Sequence, residues 1–479
     1  MKKYSPLAFL FSLLFAVSAY AGEGRYTLPL TGGGWSLWLD KEASWQNDRL
    51  YLPHEITDLS LLPVNPPTGG WQALNDNLDA VSVEVPGTVE EYLTTSDNPR
   101  PEDFKGVSWW YRKITIPADQ ANKRHLIYFE SVRMRAEVYL DGKLVAYDLI
   151  GETPFHVDIT KEAKPGTEQL LAVRVTNPGG NFHWQDFDIQ KWGEYNIPPA
   201  RSFSGIIGRV KLESVNPVFI SDIYMQNTPE PTKVNAIISF TNETPSSVKQ
   251  DVELTVSEKN RPDKVVFRQL LKHVSFPPGK REMMIPVSVS DAKLWDLDTP
   301  ELYTCNIQIK KGKNTLDRDK KNFGFRWFSA EGVGTDAVLR LNGRRVMLRS
   351  AISWGYFPVT GLIATPEMAE KQVLTAKKLG LNMLNFHRCI GSPVVLEKTD
   401  ELGLLYYEEP GSFHSANHDP FIRTIVNEKL KRMVHRDRSH PSLIIFNLIN
   451  EFGGPLSRDK ELVAKRMNDM REAHAVRSE

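Results

Sequence analysis

Residues 437–451 read DRSHPSLIIFNLINE, an apolar run that passes directly into two polar residues. The run predicts a buried strand from Leu443 to Asn450. Three similar runs predict further strands at residues 346–353, 383–388 and 404–409. Helical patterns with start and stop signals lie between and after them, at residues 366–379, 392–402, 420–436 and 460–473. Strands that alternate with helices of this length predict parallel βα units.

Capping residues support these boundaries. Thr365 stands at an N-cap position, and Gly380 and Gly403 stand at C-cap positions. A closed (β/α)8 barrel needs eight such units and about 250 residues. About four units fit between residue 328 and the last residue, so we expect the first half of a (β/α)8 TIM barrel.

Residues 24–327 follow a different pattern, with short strands of alternating polarity separated by Gly, Pro, Asn and Asp. Residues 136–146 predict a hairpin that turns at Asp141-Gly142. We interpret residues 24–215 as one β-sandwich. Residues 216–327 have the length and turn spacing of an immunoglobulin-like β-sandwich. The predicted fold class is therefore multidomain, with two β units before an α/β unit.

Charge and composition narrow the class of function. The 59 Lys and Arg residues balance 59 Asp and Glu residues, and no run of five like charges occurs, so we expect no nucleic-acid partner. Aromatic residues make up 10% of the chain, which permits contacts with sugar rings. Cys305 and Cys389 fall in different predicted units, so we expect no disulfide.

The N-terminus is typical of an export signal. Lys2 and Lys3 precede an apolar run from Leu7 to Val17, and residues 19–21 (AYA) have the small-x-small pattern of a cleavage site. We expect a signal peptide at residues 1–21, cleaved after Ala21, and a periplasmic or secreted protein. The apolar stretch is shorter than the roughly twenty residues of a membrane anchor, so we expect no membrane span.

Asn450 and Glu451 are residue types that glycosidic bond cleavage requires. At the carboxyl end of a barrel strand they would face the pocket in which barrel enzymes hold their catalysts. Glycoside hydrolysis needs one carboxyl group to protonate the leaving oxygen and a second carboxylate across the anomeric carbon. Glu451 suits the first role, and the Asn450 amide can hydrogen-bond the sugar 2-hydroxyl. The alternative is that the pair only caps the next helix.

The chain resembles glycoside hydrolase family 2, the β-galactosidase, β-glucuronidase and β-mannosidase group. The resemblance rests on His440 to Ser442 before the apolar strand, on the Asn450-Glu451 pair after it, and on segments of the earlier units. Those segments are residues 109–112 (WWYR), 138–142 (VYLDG), 154–160 (PFHVDIT) and 204–210 (SGIIGRV). It implies a jelly-roll sugar-binding domain at 22–215, an immunoglobulin-like β-sandwich at 216–327 and a partial barrel at 328–479. It also implies that Glu451 is the acid/base of a retaining two-carboxylate mechanism.

The same resemblance implies further substrate-binding residues. Residues 380–388 (GLNMLNFHR) are similar to the family's Gly-x-Asn-x-x-Arg-x-His stretch, which places His387 on its pocket-lining histidine. Asn385 stands where the family has arginine, and Arg388 follows the histidine instead. We count all three as candidates, and these departures leave the sugar specificity open.

Two acidic residues complete the candidates. Glu409, after the third strand, could contact sugar hydroxyls, hold a cation, or be a solvated loop carboxylate. Asp186 lies in a long connection that in relatives can line the active site; a plain surface loop is the alternative. His414 and His418 have zinc-like spacing but lie in a predicted loop, so we expect no metal and no cofactor.

Two functions remain open. The first is a glycoside hydrolase that cleaves O-glycosyl bonds of oligo- or polysaccharides, incomplete in this chain because the family's nucleophile lies on a later barrel strand. Its partner is a carbohydrate substrate, and the open half-barrel favours self-association. The alternative is a non-catalytic carbohydrate-binding or assembly protein that uses only the β-sandwich domains.

Overall fold

The computed structural model describes the chain in segments: residues 20–21, 24–76, 79–93, 104–179, 189–198, 203–355, 357, 361, 363–411, 419–448, 450 and 458–474. The predicted signal peptide up to residue 19, Asp186, the two loop histidines and Glu451 lie outside these described residues.

The first unit is a β-sandwich. Its strands are β1 (Tyr20–Ala21), β2 (Tyr26–Pro29), β3 (Gly32–Asp40), β4 (Val81–Val85), β5 (Gly106–Thr115), β6 (Arg124–Phe129), β7 (Arg135–Leu140), β8 (Lys143–Asp148), β9 (Phe155–Asp158), β10 (Glu168–Asn177), β11 (Gln190–Trp192), β12 (Tyr195–Ile197) and β13 (Val210–Val215). Short helices α1 (Ala73–Asp76) and α2 (Val89–Leu93) lie in its connections. One antiparallel sheet has the order β1-β2-β13-β6-β9, and the other has the order β4-β3-β5-β10-β7-β8.

The core of this unit lies between the two sheets. Ile127 and Phe129 come from one sheet, and Trp110 and Val173 come from the other, and all four are buried together. The predicted hairpin is confirmed: β7 and β8 pair across Asp141 (φ 48°) and Gly142 (φ 80°). Two successive positive φ values are what a type I′ turn requires.

The second unit is also a sandwich. Its strands are β14 (Val218–Asn227), β15 (Lys233–Asn242), β16 (Val248–Glu258), β17 (Arg261–Phe276), β18 (Gly279–Ser288), β19 (Tyr303–Lys311) and β20 (Asn314–Phe323). They form sheets of the order β14-β15-β18 and β17-β16-β19-β20. Alternate residues Val252, Leu254, Cys305 and Ile307 point into its core, as the period-two pattern predicted.

The third unit combines a small antiparallel sheet with a parallel one. The antiparallel sheet consists of β21 (Phe328–Glu331), β22 (Val338–Leu341) and β23 (Arg344–Arg345). The parallel strands are β24 (Ser350–Ser353), β25 (Met383–Phe386), β26 (Leu405–Glu408) and β27 (Leu443–Phe446), in that spatial order. The helices are α3 (Pro366–Lys378), α4 (Pro393–Leu402), α5 (Pro420–Asp437) and α6 (Lys460–His474). No helix in the described segments is long and apolar enough to cross a bilayer.

The parallel sheet has two different faces because side chains alternate along each strand. Leu384 and Tyr406 share one core with Val373 of α3 and Leu396 of α4. Asn385 pairs in register with Ile352 and with Tyr407, so these residues form part of the opposite face. One face of the sheet therefore packs against the helices, and the other face carries Asn385.

All four predicted strands of the parallel sheet are longer than those observed, and two of them are twice as long. The strand expected at residues 346–353 begins only at Ser350, because the Val346 N–H donates to the Leu339 carbonyl and the Arg349 N–H donates to Asn382 Oδ1. The strand expected at residues 443–450 ends at Phe446, after a register shift in its pairing with β26. The caps Thr365 and Gly403 are confirmed, whereas Leu379 takes the C-cap position expected for Gly380.

Gly324 lies where the second sandwich meets the loop before β27. A Cβ at this position would stand 2.8 Å from Trp295 Cβ and 2.9 Å from Pro441 Cβ. We expect Gly324→Ala to lower the free energy of unfolding by about 1–3 kcal/mol, because the neighbours must move apart. Gly33→Ala is the matched control, since no heavy atom lies within 4 Å of its Cβ position. Equal shifts of the two variants in urea denaturation would contradict the packing argument.

Candidate active site

Polar side chains gather at the carboxyl ends of β25, β26 and β27. His387 and Arg388 follow β25, Glu409 follows β26, and Asn450 follows β27 within a few residues. The His387 N–H donates to the Ser353 carbonyl at 2.8 Å, which extends the β24–β25 pairing up to the site. Parallel strands bring these ends to one edge of the sheet, as the sequence pattern predicted.

The Glu409 carboxylate lies in the middle of this group. Its Oε1 accepts a hydrogen bond from Asn385 Nδ2 at 3.2 Å, and its Oε2 accepts one from the Arg388 backbone N–H at 3.1 Å. Oε1 also lies 3.5 Å from Asn450 Nδ2 and 3.6 Å from His387 Nδ1. Burial raises the pKa of Glu409, and the donors from Arg388 and Asn385 partly oppose this rise. The side chain is 1% exposed, so protein groups enclose the carboxylate.

Asn450 joins Arg388 and His387. Arg388 Nε donates to Asn450 Oδ1 at 3.2 Å, and Asn450 Nδ2 lies 3.4 Å from His387 Nδ1. Arg388 has a φ of 59°, a left-handed conformation that costs a non-glycine residue on the order of 1 kcal/mol. The structure thus brings Asn385, His387, Arg388, Glu409 and Asn450 together.

Trp354 is a site neighbour that the sequence analysis did not single out. It follows β24 and meets the His387 ring edge to face, with ring centroids 4.7 Å apart. The Arg388 guanidinium lies 5.8 Å from the Trp354 ring centre. The available signal was an aromatic residue just after the first predicted strand of the parallel sheet. An aromatic ring at a strand end is a suitable surface for a sugar ring.

Glu408 and Glu409 are adjacent in sequence but face opposite sides of the sheet. Glu408 Oε1 accepts hydrogen bonds from the Gly391 N–H at 3.1 Å and from Arg436 at 3.3 Å. Burial and the neighbouring Asp437 carboxylate raise the pKa of Glu408 well above its ordinary value. Alternation along β26 therefore assigns Glu409 to the candidate site and Glu408 to the contact with α5.

The residues before β27 are held by Asp400 of α4. Asp400 Oδ2 lies 2.6 Å from His440 Nδ1, and Asp400 Oδ1 accepts hydrogen bonds from Ser442 N at 3.0 Å and Ser442 Oγ at 2.6 Å. Arg326, which follows the second sandwich, donates to the Pro441 and Leu443 carbonyls. The His-Pro-Ser segment thus anchors the strand that leads to Asn450.

His440 gives the stability of this anchor a pH dependence. Burial lowers the pKa of His440, but the Asp400 carboxylate outweighs burial, so the pKa is raised overall. A raised histidine pKa stabilises the fold fully below the unfolded value of about 6.5, and this contribution disappears as the pH rises through the folded value.

We therefore expect the stability difference between wild type and His440→Gln to be largest near pH 5 and to shrink toward about pH 9. Urea denaturation of both proteins across this range measures it. A difference that does not change with pH would contradict the assigned role of the Asp400 carboxylate.

Two of the predicted site residues cannot be placed. Glu451 and Asp186 lie outside the described residues, so their assignments stay predictions. Within the described segments, no group of three or more His, Cys, Asp or Glu side chains is arranged to hold a metal ion.

Comparison with known proteins agrees with this architecture. Residues 75–198 match the family model described as glycosyl hydrolases family 2, sugar binding domain, and residues 218–326 match the model described as glycosyl hydrolases family 2. These two segments fall in the two sandwiches, which precede a parallel sheet with polar residues at its strand ends. Both sandwiches are therefore domains of the kind found in glycosyl hydrolases family 2.

Curated relatives agree with this assignment. A putative β-glucuronidase of Formosa agariphila is 26% identical over 85% of this chain and 45% of its own length. A β-galactosidase of Thermoanaerobacter pseudethanolicus is 28% identical over 78% of this chain and 48% of its own length. The chain spans about half the length of these curated relatives.

Solved structures share the fold. The crystal structure of a Bacteroides uniformis β-glucuronidase superposes with a TM-score of 0.70 at 19% identity, over 94% of this chain and 51% of that one. A family 2 member from Bacteroides cellulosilyticus gives a TM-score of 0.73 at 20% identity, over 93% of this chain and 55% of that one.

Proposed function

We propose that this chain is the acid/base-bearing part of a retaining glycoside hydrolase, with Glu451 as the acid/base. The observation that carries the proposal is the convergence of His387, Arg388, Glu409 and Asn450 at the ends of three neighbouring parallel strands. Glu451 directly follows Asn450 in the chain. The match of both sandwiches to domains of family 2 supports the same interpretation independently of the geometry.

In the proposed mechanism Glu451 first protonates the leaving oxygen and later activates the attacking water. An amide oxygen accepts two hydrogen bonds, so Asn450 Oδ1, which takes one from Arg388, can take a second from the sugar 2-hydroxyl. This bond strengthens as positive charge develops on the anomeric carbon. The resemblance assigns the nucleophilic carboxylate to a later barrel strand, and we assign no residue of this chain to it.

The substrate class follows from the relatives. They are named β-glucuronidases and β-galactosidases, so we propose β-glucuronides or β-galactosides of oligo- or polysaccharides. The mixed lining of amide, imidazole and guanidinium groups suits hydroxyl and carboxylate oxygens alike.

We further propose that the parallel sheet is the first part of a (β/α)8 barrel. The order β24-β25-β26-β27, its parallel pairing and the intervening helices support this. Met347 and Leu379 are 65% and 73% exposed, and Ile352 on β24 is 57% exposed. Such apolar surface supports self-association of the chain, which sedimentation velocity over a concentration series would detect.

A panel of 4-nitrophenyl β-glycosides tests the proposed function. Release of nitrophenol from the glucuronide or the galactoside is the expected result when the later barrel strands that supply the nucleophile are present with this chain, and turnover of neither under that condition would contradict the proposal. Tight sugar binding without turnover would instead support the carbohydrate-binding alternative, which the match to a sugar binding domain at residues 75–198 favours.

We also propose export to the periplasm or the medium. The charged start, the apolar run and the cleavage pattern of residues 1–21 support it. N-terminal sequencing of the mature protein from a bacterial host should begin at Gly22. A mature protein that still begins at Met1 would contradict the proposed cleavage.

A further inference from the structure

The Glu409 carboxylate is surrounded by the other members of the site. We propose that Glu409 is a positioning residue, which orients the Asn450 amide and thereby places the proton of neutral His387 on Nε2. Its part in catalysis rests on the proposed function, whereas its effect on Asn450 and His387 rests on the geometry alone. In this role Glu409 does not contact the sugar itself but fixes the orientation of the residues around it.

The first step is the orientation of the Asn450 amide. Arg388 Nε only donates hydrogen bonds, so the Asn450 atom that faces it at 3.2 Å must be the oxygen Oδ1. An ionised Glu409 only accepts, so the Asn450 atom near its Oε1 must be the nitrogen Nδ2. A flipped amide would bring two donors together at Arg388 and two acceptors together at Glu409. Both neighbours therefore require the same orientation.

The second step is the position of the His387 proton. His387 Nδ1 lies 3.4 Å from Asn450 Nδ2, whose two hydrogens allow it to donate to two acceptors. A neutral imidazole has one donor and one acceptor nitrogen, so Nδ1 accepts here and Nε2 carries the proton. The competing contact, from Nδ1 to Glu409 Oε1, is 3.6 Å long and exceeds hydrogen-bond distance.

The third step is the exclusion of direct sugar contact. The Glu409 side chain is 1% exposed, and Asn385 Nδ2 and the Arg388 N–H already donate to its two oxygens. A buried carboxylate needs such donors, because its water shell has been removed. The bond to the Arg388 N–H also holds that residue at its φ of 59°. Glu409 thus acts on a ligand through Arg388, Asn450 and His387.

Histidine nitrogen NMR of the full chain tests the proposal. With ¹⁵N-labelled histidine at about pH 8, where an ordinary imidazole with a pKa near 6.5 is neutral, His387→Gln identifies the His387 signals by their loss. We expect wild type to show a protonated Nε2 and an unprotonated Nδ1. Glu409→Met, which has a similar size, removes both the acceptor near Asn450 Nδ2 and the acceptor that holds the Arg388 N–H, so both restraints on the amide are weakened and a mixture of the two tautomers is expected. Glu409→Gln, which keeps one oxygen, should lie between them.

Glu408→Gln is the matched control, because Glu408 is a buried carboxyl on the same strand that faces α5. It should keep the wild-type His387 signals. A wild type with the proton on Nδ1, or wild-type signals in both Glu409 variants, would overturn the proposal. If Glu409→Met does not fold, the wild-type tautomer and Glu409→Gln still decide it.

Titration with glucuronic acid and with galactose separates this inference from the proposed function. We expect Glu409→Gln to bind the preferred sugar about tenfold more weakly than wild type, a difference of about 1.4 kcal/mol. The expected His387 signals without sugar binding or turnover would leave the positioning role standing and defeat the proposed function. Turnover by wild type, together with a His387 tautomer that is the same in wild type and in both Glu409 variants, would support the proposed function and defeat the positioning role.

Discussion

Glu451→Gln should reduce hydrolysis of a β-glycoside with a poor leaving group by a factor of roughly 10²–10⁴. Glutamine has the size of glutamate but has no proton to give to the leaving oxygen and cannot activate water. The substrates for this test are a 4-nitrophenyl glycoside and a methyl glycoside of the sugar that wild type prefers. Initial rates for wild type and variant with both substrates measure it, with the later barrel strands that supply the nucleophile present in each protein.

The leaving group separates acid/base catalysis from general damage to the site. Nitrophenolate departs with little protonation, whereas methoxide requires it, so the variant should lose more activity on the methyl glycoside. Glu401→Gln, on the surface of α4 and ion-paired with Lys259 and Lys398, is the control and should keep wild-type rates. Equal losses on both substrates would reject Glu451 as the proton donor.

The parallel sheet could be predicted because its buried strands are short apolar runs between helices. The strands expected at residues 383–388 and 404–409 correspond to β25 (Met383–Phe386) and β26 (Leu405–Glu408). The run at residues 346–349 looked like the start of a strand, but its backbone pairs elsewhere, with Leu339 and with Asn382. A hydrophobic pattern indicates which residues are buried, but it does not show which segment their backbone groups hydrogen-bond with.

The sequence predicted which residues form the candidate site, but it did not predict which residues they contact. His387 and Asn450 were expected at strand ends, and both are found there. The contact of Trp354 with His387 depends on β24 lying next to β25, which no local pattern shows. The role of Asp400 was equally hidden, since 40 residues separate it from His440 in the chain. Long-range partners of polar side chains appear only once the elements are placed.

Asp400→Ala should lower the free energy of unfolding by about 3–5 kcal/mol, the cost of removing one partner from a buried charged network. The change deletes Asp400 Oδ2, the partner of His440 Nδ1, and Asp400 Oδ1, which accepts from both Ser442 N and Ser442 Oγ. His440 and Ser442 then keep buried polar groups whose hydrogen bonds are lost, and each such group adds a desolvation cost. Urea denaturation of the full chain at about pH 6, below the raised pKa of His440, measures the loss.

Glu401→Ala is the matched control for this variant. Its carboxylate is the next one along α4 but pairs with Lys259 and Lys398 near the surface, where an ion pair contributes roughly 0–1 kcal/mol. A loss from Asp400→Ala no greater than that from Glu401→Ala would contradict the anchoring role. Because the His440 to Ser442 segment leads through β27 to Asn450, we also expect Asp400→Ala to weaken sugar binding. That effect links the stability of the strand to the geometry of the proposed site.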